Sequence, residues 1–157
     1  MVVKPIPDGY HTATPHLIVK GAASAIEFYK RAFGATELGR CAEPSGKVGH
    51  AEIRIGSSPI MLADEYPEAG FVGPQSLGGT SVSIHLYVED VDAEFRRAIE
   101  AGAKELRPLK DQFYGDRSGT LKDPFGHVWT MASRKEEVNA DEIERRFAAM
   151  MKQGGGA

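Results

Sequence analysis

Two stretches of the chain repeat one pattern of apolar and polar positions. Residues 16–35 read HLIVKGAASAIEFYKRAFGA, and residues 85–103 read HLYVEDVDAEFRRAIEAGA. Each begins His-Leu-x-Val, passes through an amphipathic run and ends Gly-Ala; Gly34 follows His16 by 18 positions and Gly102 follows His85 by 17. Matched start and stop signals at matched distance mark an internal repeat. Thr14–Lys20, β-branched at Ile18 and Val19, predicts a strand, and so does Ser81–Glu89, with Val82, Ile84, Leu86 and Val88 on one face. The first helix is predicted over Ala22–Phe33, with Ile26, Tyr29 and Phe33 on its core stripe. The second starts after Asp90, a good N-cap, with Asp92 and Glu94 at its positive end and Val91, Phe95, Ala98 and Ile99 as its stripe. Gly34 and Gly102 stand where a left-handed C-terminal residue is wanted.

Three short strands follow each helix: Thr36–Cys41, Gly49–Ile55 and Pro59–Ala63, then Lys104–Leu109, Asp116–Lys122 and Val128–Ser133. Pro44-Ser45-Gly46, Gly56-Ser57-Ser58, Gly115 and Asp123-Pro124-Phe125-Gly126 supply turns. The intervening stretch, rich in Gly and Pro, is loop-like: a plain linker, or a lid with Tyr66 and Phe71 as aromatic tips. A last helix begins near Asn139, with Glu142 in capping-box position. Its stripe of Ile143, Phe147, Met150 and Met151 has to dock on this subunit or on another chain. The Gly154–Ala157 tail is expected to be disordered. The fold class is α+β. A single domain, 1–157, comprises a first βαβββ module (10–64), a connecting loop (65–80), a second module (81–134) and a C-terminal helix (139–152). The two modules are expected to form curved mixed sheets around a cleft.

Composition narrows the function classes. The chain has 157 residues, 19 Lys and Arg against 22 Asp and Glu, and a net charge of −3. Such a balance argues against a nucleic-acid surface. The 41% hydrophobic content excludes wholesale disorder. Cys41 is alone, so no internal disulfide forms, and a lone thiol fits a reducing compartment. No signal-like N-terminal apolar run is present, and no stretch approaches the ~20 apolar residues of a membrane span. A cytoplasmic chain with no membrane and no nucleic-acid partner is expected.

The duplicated βαβββ unit, with Phe28-Tyr29 in the first helix and Asp-Pro-x-Gly before the last strand, resembles the vicinal oxygen chelate superfamily of glyoxalases, bleomycin-resistance proteins and extradiol dioxygenases. The resemblance covers residues 10–134. Ile26-Glu27-Phe28-Tyr29, Ala32-Phe33-Gly34-Ala35, Gln112-Phe113-Tyr114-Gly115-Asp116-Arg117 and Asp123-Pro124-Phe125-Gly126-His127-Val128-Trp129 are similar to its PhnB-like subgroup. Four inward positions hold a divalent metal in the family's metalloenzymes, filled by His, Gln or Glu. They fall here on Thr14, Met61, Ser83 and Thr130. None of the four is a typical ligand, so no metal ligand is carried over.

The candidate cleft residues are Thr14, His16, His50, Glu52, Ser83, His85, Tyr114, Ser118, Thr120 and Thr130. His16 and His85 each lie two residues beyond a missing ligand position, so a strand's period places them on the same side. The pseudo-twofold of the repeat could bring them together across the cleft. They would bind an acidic or hydrogen-bonding ligand, act as acid and base, or simply bond to Thr14 and Ser83. His50, Glu52 and Arg54 alternate with Ala51, Ile53 and Ile55 and face the cleft or solvent. Tyr114, Asp116, Ser118 and Thr120 share one parity and form a wall; Arg117 has the other and is expected to pair with Asp116 or Asp123. Asp64 could be an acid or a plain loop start, and no catalytic residue is assigned.

The expected function is a glyoxalase/bleomycin-resistance-like protein that binds a small molecule in its cleft, without the usual family metal and with no cofactor. The alternative is a metal-dependent lyase, transferase or dioxygenase with a divalent metal on a rearranged His-based site. A homodimer is expected from the resemblance, from exposed sheet edges and from the apolar last helix.

Overall fold

The computed structural model describes residues 2–154; of the Gly154–Ala157 tail expected to be disordered, Gly154 instead closes the last helix, and 155–157 lie outside the described residues. In the first module, β1 (His16–Val19) leads into helix α1 (Ala22–Phe33), followed by β2 (Thr36–Ala42), β3 (Val48–Ile55) and β4 (Ser58–Asp64). After a 3₁₀ turn at Pro67–Ala69 comes the one-turn helix α2 (Pro74–Leu77). The second module repeats the first: β5 (Ser83–Tyr87), α3 (Val91–Ala101), β6 (Lys104–Asp111), β7 (Asp116–Lys122) and β8 (Val128–Arg134). Helix α4 (Ala140–Gly154) ends the chain.

The sheets are four-stranded and mixed, in the orders β1-β4-β3-β2 and β5-β8-β7-β6, and neither closes into a barrel. In each, the first strand pairs parallel with the last, and the other pairs are antiparallel. The registers make the repeat explicit. His16 stands opposite Met61 and Met61 opposite Glu52; His85 stands opposite Thr130 and Thr130 opposite Thr120. His16 therefore matches His85, Met61 matches Thr130, and Glu52 matches Thr120. Strand β1 is shorter than the expected Thr14–Lys20. Pro15 has no N–H, although its carbonyl still accepts from Met61 at 2.9 Å.

The helix of each module starts on a group delivered by its last strand. Gly21, at the N-cap of α1, has no side chain to offer. Asp64, buried at the end of β4, serves instead: Oδ1 accepts from Gly21 and Ala22 N–H at 2.8 and 2.9 Å, and Oδ2 from Val48 N–H at 2.7 Å. Asp64 is thus a capping group, not a free acid. In the second module Asp90 caps α3 as expected, accepting from Ala93 N–H at 3.1 Å, and Ser133 takes the place of Asp64 by accepting from Val91 N–H. At the other end of α1, Gly34 adopts φ 66°, and Arg97 of α3 donates to the Arg31 carbonyl at 2.7 Å. A cation on the negative helix end is favourable. A Cβ on Gly34 would come within 3.2 Å of that guanidinium, a second reason for glycine there.

The core runs continuously through both modules. Helix α1 presses its aromatic face on the second module as well as on its own sheet. Phe33 lies 4.6 Å from Trp129 between ring centroids, Tyr29 lies 5.4 Å from Trp129, and Phe28 lies 6.2 Å from Phe125. At the centre is the buried carboxylate of Asp123. Tyr29 Oη–H and Trp129 Nε1–H donate to Oδ2 at 2.6 and 2.8 Å; Phe125 and His127 N–H donate to Oδ1 at 2.8 and 3.0 Å. Burial, then the Asp123 charge, hold the Tyr29 phenol well above its ordinary range, so it stays a donor. The 65–80 stretch is a fastened strap: Glu65 accepts from Gly73 N–H and Ser76 Oγ–H, and Gln75 donates to the Pro124 carbonyl. Helix α4 caps on Asn139, which accepts from Glu142 N–H at 2.9 Å. Its Phe147, Met150 and Met151 remain exposed, with the Phe147 ring 5.6 Å from that of Phe113.

Removing the Asp123 carboxylate strands four donors in the core. Asp123→Ala should cost about 3–5 kcal/mol in urea unfolding. Tyr29→Phe, which loses one bond to a charged acceptor, should cost about 1.5–3 kcal/mol. Equal small losses for both would show that the carboxylate does not join the modules.

Candidate functional site

Strand β3 turns Ala51, Ile53 and Ile55 to α1 and leaves His50, Glu52 and Arg54 on the open face of the first sheet. Three of the nearby groups form a chain with Tyr10. The Tyr10 phenol, on the lead-in segment, donates to Glu52 Oε2. His50 Nε2 lies 3.2 Å from Glu52 Oε1. The His16 ring stacks on His50, 5.8 Å between centroids at 19°, and Phe71 of the strap lies 6.5 Å from His16. The bond from Tyr10, then that from His50, hold the Glu52 carboxyl below its ordinary value. Partial loss of water, then the neighbouring His50, lower the His16 pKa from 6.5. His16 is thus neutral near pH 7 and can accept or donate a hydrogen bond.

Beside His16 lies a cavity of about 550 Å³, lined by Ile18, Val72, Leu77, Val82, Ile84 and His127 among others. It occupies the groove between the β1 and β5 edges, with the strap as one wall. His127 donates from Nε2 to the Ile18 carbonyl, 2.9 Å away, and closes one end.

The open face of the second sheet is built from hydroxyls. Thr120 and Thr130 share a hydrogen bond at 3.0 Å, Tyr114 and Ser118 one at 3.5 Å, and His85 packs on Tyr87, 4.8 Å between centroids. Tyr87 donates to the buried Asp116 at 2.7 Å. Ser83 begins β5, exposed, and Thr14 precedes β1, half-buried; neither bonds to the neighbouring histidine among the described residues.

On β7, Ser118 and Thr120 stand on one face, bonded to Tyr114 and Thr130, and on β3 His50 pairs with Glu52. His16 and His85 are not brought together: among the described residues no ring contact or hydrogen bond joins them, His16 lines the cavity by the strap, and His85 lines a separate groove with Phe33, Ser57 and Tyr87. Each sheet carries its own histidine because the modules meet through α1, α3 and the strap. Arg117 pairs with Asp92 and Asp111, at 2.9 and 3.3 Å, and not with Asp116 or Asp123. Asp116 points to the opposite face, and Asp123 is already saturated. Tyr10 and His127 escaped the sequence reading. Neither is on a periodic element that would fix its direction. Tyr87 was legible, since it shares the parity of His85.

A family model described as the glyoxalase/bleomycin resistance protein/dioxygenase superfamily matches residues 10–131. The chain belongs to this superfamily. A Mycobacterium tuberculosis protein is 51% identical over 146 residues, covering 91% of this chain and 84% of the relative. The X-ray structure of an Arabidopsis thaliana gene product superposes with a TM-score of 0.65 at 28% identity, covering 78% of this chain and 98% of that one. A PhnB protein of Bacillus cereus has the same fold, with a TM-score of 0.62 at 21% identity over 78% of this chain and 99% of that one. The family model agrees with the glyoxalase-like resemblance, and the PhnB protein shares the fold.

The residues at the superfamily's metal positions do not fit a divalent ion. Thr14, Ser83 and Thr130 offer neutral hydroxyls, and Thr130 already shares a hydrogen bond with Thr120. Met61 offers a soft thioether. Ions of the zinc, nickel or iron type call for imidazole and carboxylate at such positions.

The His16 imidazole should titrate below 6.5 in NMR. The unfolded chain then takes up the proton more readily, so His16 lowers stability as pH falls through 6.5 toward the folded value. His50→Gln should raise the midpoint only in part, since loss of water is the larger cause. A His16 midpoint at or above 6.5 contradicts the stacked arrangement. Separately, Tyr10→Phe should let the Glu52 carboxyl return toward 4.5, read from its carbonyl shift against pH.

Proposed function

We propose that this chain binds a small, mainly apolar molecule in the cavity beside His16, without the superfamily's metal and without a cofactor. The observation that carries the reading is the cavity itself. Its volume of about 550 Å³ suits a small ligand, its wall is mostly aliphatic, and the neutral His16 imidazole offers a polar anchor. Phe71, on a strap tied down by Glu65, supplies an aromatic edge next to that anchor. The family fold supports the reading only at the level of a ligand-binding scaffold, because one fold hosts many activities. Binding alone requires no reaction, and no catalytic residue is assigned.

The alternative is a metal-dependent lyase, transferase or dioxygenase on a rearranged site. The convergence of His16, His50 and Glu52 favours it, although among the described residues no group of three His, Cys, Asp or Glu adopts metal-binding geometry. Homodimerisation accompanies the proposal: β1 and β5 are sheet edges, and α4 exposes Phe147, Met150 and Met151. Among the described residues no helix is long and apolar enough to cross a membrane, and a cytoplasmic location is proposed with the rest.

Metal analysis of the purified protein and a thermal-shift screen of small apolar and aromatic compounds separate the readings. The expected outcome is less than stoichiometric metal together with a ligand that raises Tm by about 5–10 °C at a hundredfold excess over Kd. His16→Ala and Leu77→Trp should abolish that shift, and His85→Ala should keep it. Stoichiometric zinc, nickel, manganese or iron that is lost on His16→Ala and His85→Ala would overturn the metal-free reading.

A further inference from the structure

The geometry points to a second ligand site, at the end of the second module beside α4, that takes an organic ammonium. A cavity of about 550 Å³ opens there, lined by Tyr87, Tyr114, Asp116, Arg134, Glu137 and Ile143 among others. It shares no lining residue with the cavity at His16 and stands independently of the ligand proposed for that cavity.

Asp116 is the centre of this site. It is only 3% exposed, and Tyr87 Oη–H holds its Oδ2 at 2.7 Å. Among the described residues its Oδ1 accepts no hydrogen bond. The nearest cation, Arg134 Nε, is 4.0 Å away on a side chain that is 65% exposed. Among the described residues no fully buried side-chain oxygen lacks a partner, so Oδ1 is not sealed in the core but opens on the cavity it lines. A carboxylate that has lost most of its water and retains a free oxygen calls for a charged N–H donor.

The surrounding charges set the sign. Glu136 is already paired with Arg146 at 2.8 Å, and Arg117 is taken by Asp92 and Asp111. Arg134 therefore stands alone against Asp116 and Glu137, which leaves the cavity one negative charge in excess. Two tyrosines in the wall favour a cation further. Ile143 and Val138 provide an apolar wall for the body of the molecule. One open carboxylate oxygen among phenols is a poor offer to a hard metal ion, which needs several oxygen ligands. It suits a primary or secondary ammonium with an apolar group attached.

The test titrates the full chain with phenethylammonium and, as its opposite in charge, 3-phenylpropionate, following backbone amides by NMR. The ammonium should shift residues 114–118 and 134–139, and the carboxylate should not. Asp116→Asn keeps an acceptor for Tyr87 and should weaken the ammonium at least tenfold. Arg134→Gln removes the competing guanidinium and should tighten it several-fold, which keeps the test decisive if Asp116→Asn does not fold. Equal binding of the two probes overturns the proposal. So does unchanged affinity in folded Asp116→Asn, weaker binding in Arg134→Gln, or shifts confined to the His16 cavity.

Discussion

One buried carboxylate holds the two halves of this protein in register. Asp123 accepts from a phenol of the first module, an indole of the second and two backbone amides of its own turn. An ionised group in a hydrocarbon core is costly unless its oxygens are satisfied. Here Tyr29 and Trp129 are buried and the Phe125 and His127 amides half-buried, so the carboxylate fixes their mutual position as firmly as they fix it. Tyr29 cannot leave without stranding its hydroxyl, and Trp129 packs on the Tyr29 and Phe33 rings of α1. The turn then owes its shape to the same group, and Gly126, at φ 96°, lets the chain pass within reach of Pro74 in the strap. The strap, and with it the wall of the cavity beside His16, is positioned from this point.

Duplication made the scaffold, and substitution made the halves differ. Equivalent positions carry His50 and Glu52 in the first sheet but Ser118 and Thr120 in the second. The first face therefore holds titratable groups coupled through Tyr10 and His50. The second holds neutral hydroxyls that satisfy one another and a single deep carboxylate, Asp116. The capping groups diverged in the same way, Asp64 against Ser133, without changing where either helix begins. Packing needs are shared by both copies, so the apolar positions stay alike. Open faces are constrained only by what they bind, and there the copies part.

Much of the fold was legible along the chain, because its signals are local. Helix α1 runs over the expected Ala22–Phe33, and Asp90 and Asn139 cap the helices that follow them. Alternation along β3 told which residues face the helix and which do not. Less was legible of the candidate site. Tyr10 reaches Glu52 from 42 residues away, and Arg117 chooses Asp92, 25 residues away, over the adjacent Asp116. Long-range partners depend on how elements stack, and period-2 logic gives direction without distance. The Gly- and Pro-rich stretch between the modules read as a plain linker or a lid, and its hydrogen bonds make it a strap.

The amino-acid sequence alone determined the duplicated βαβββ plan, the superfamily and the apolar stripes. Each of these rests on residue identity or on periodicity within one element. Tertiary structure decided that His16 stacks on His50 and not near His85, that Asp123 joins the modules, and that Asp116 keeps one oxygen open to a cavity. Those outcomes depend on how α1 and α3 pack against the sheets, which no single segment encodes.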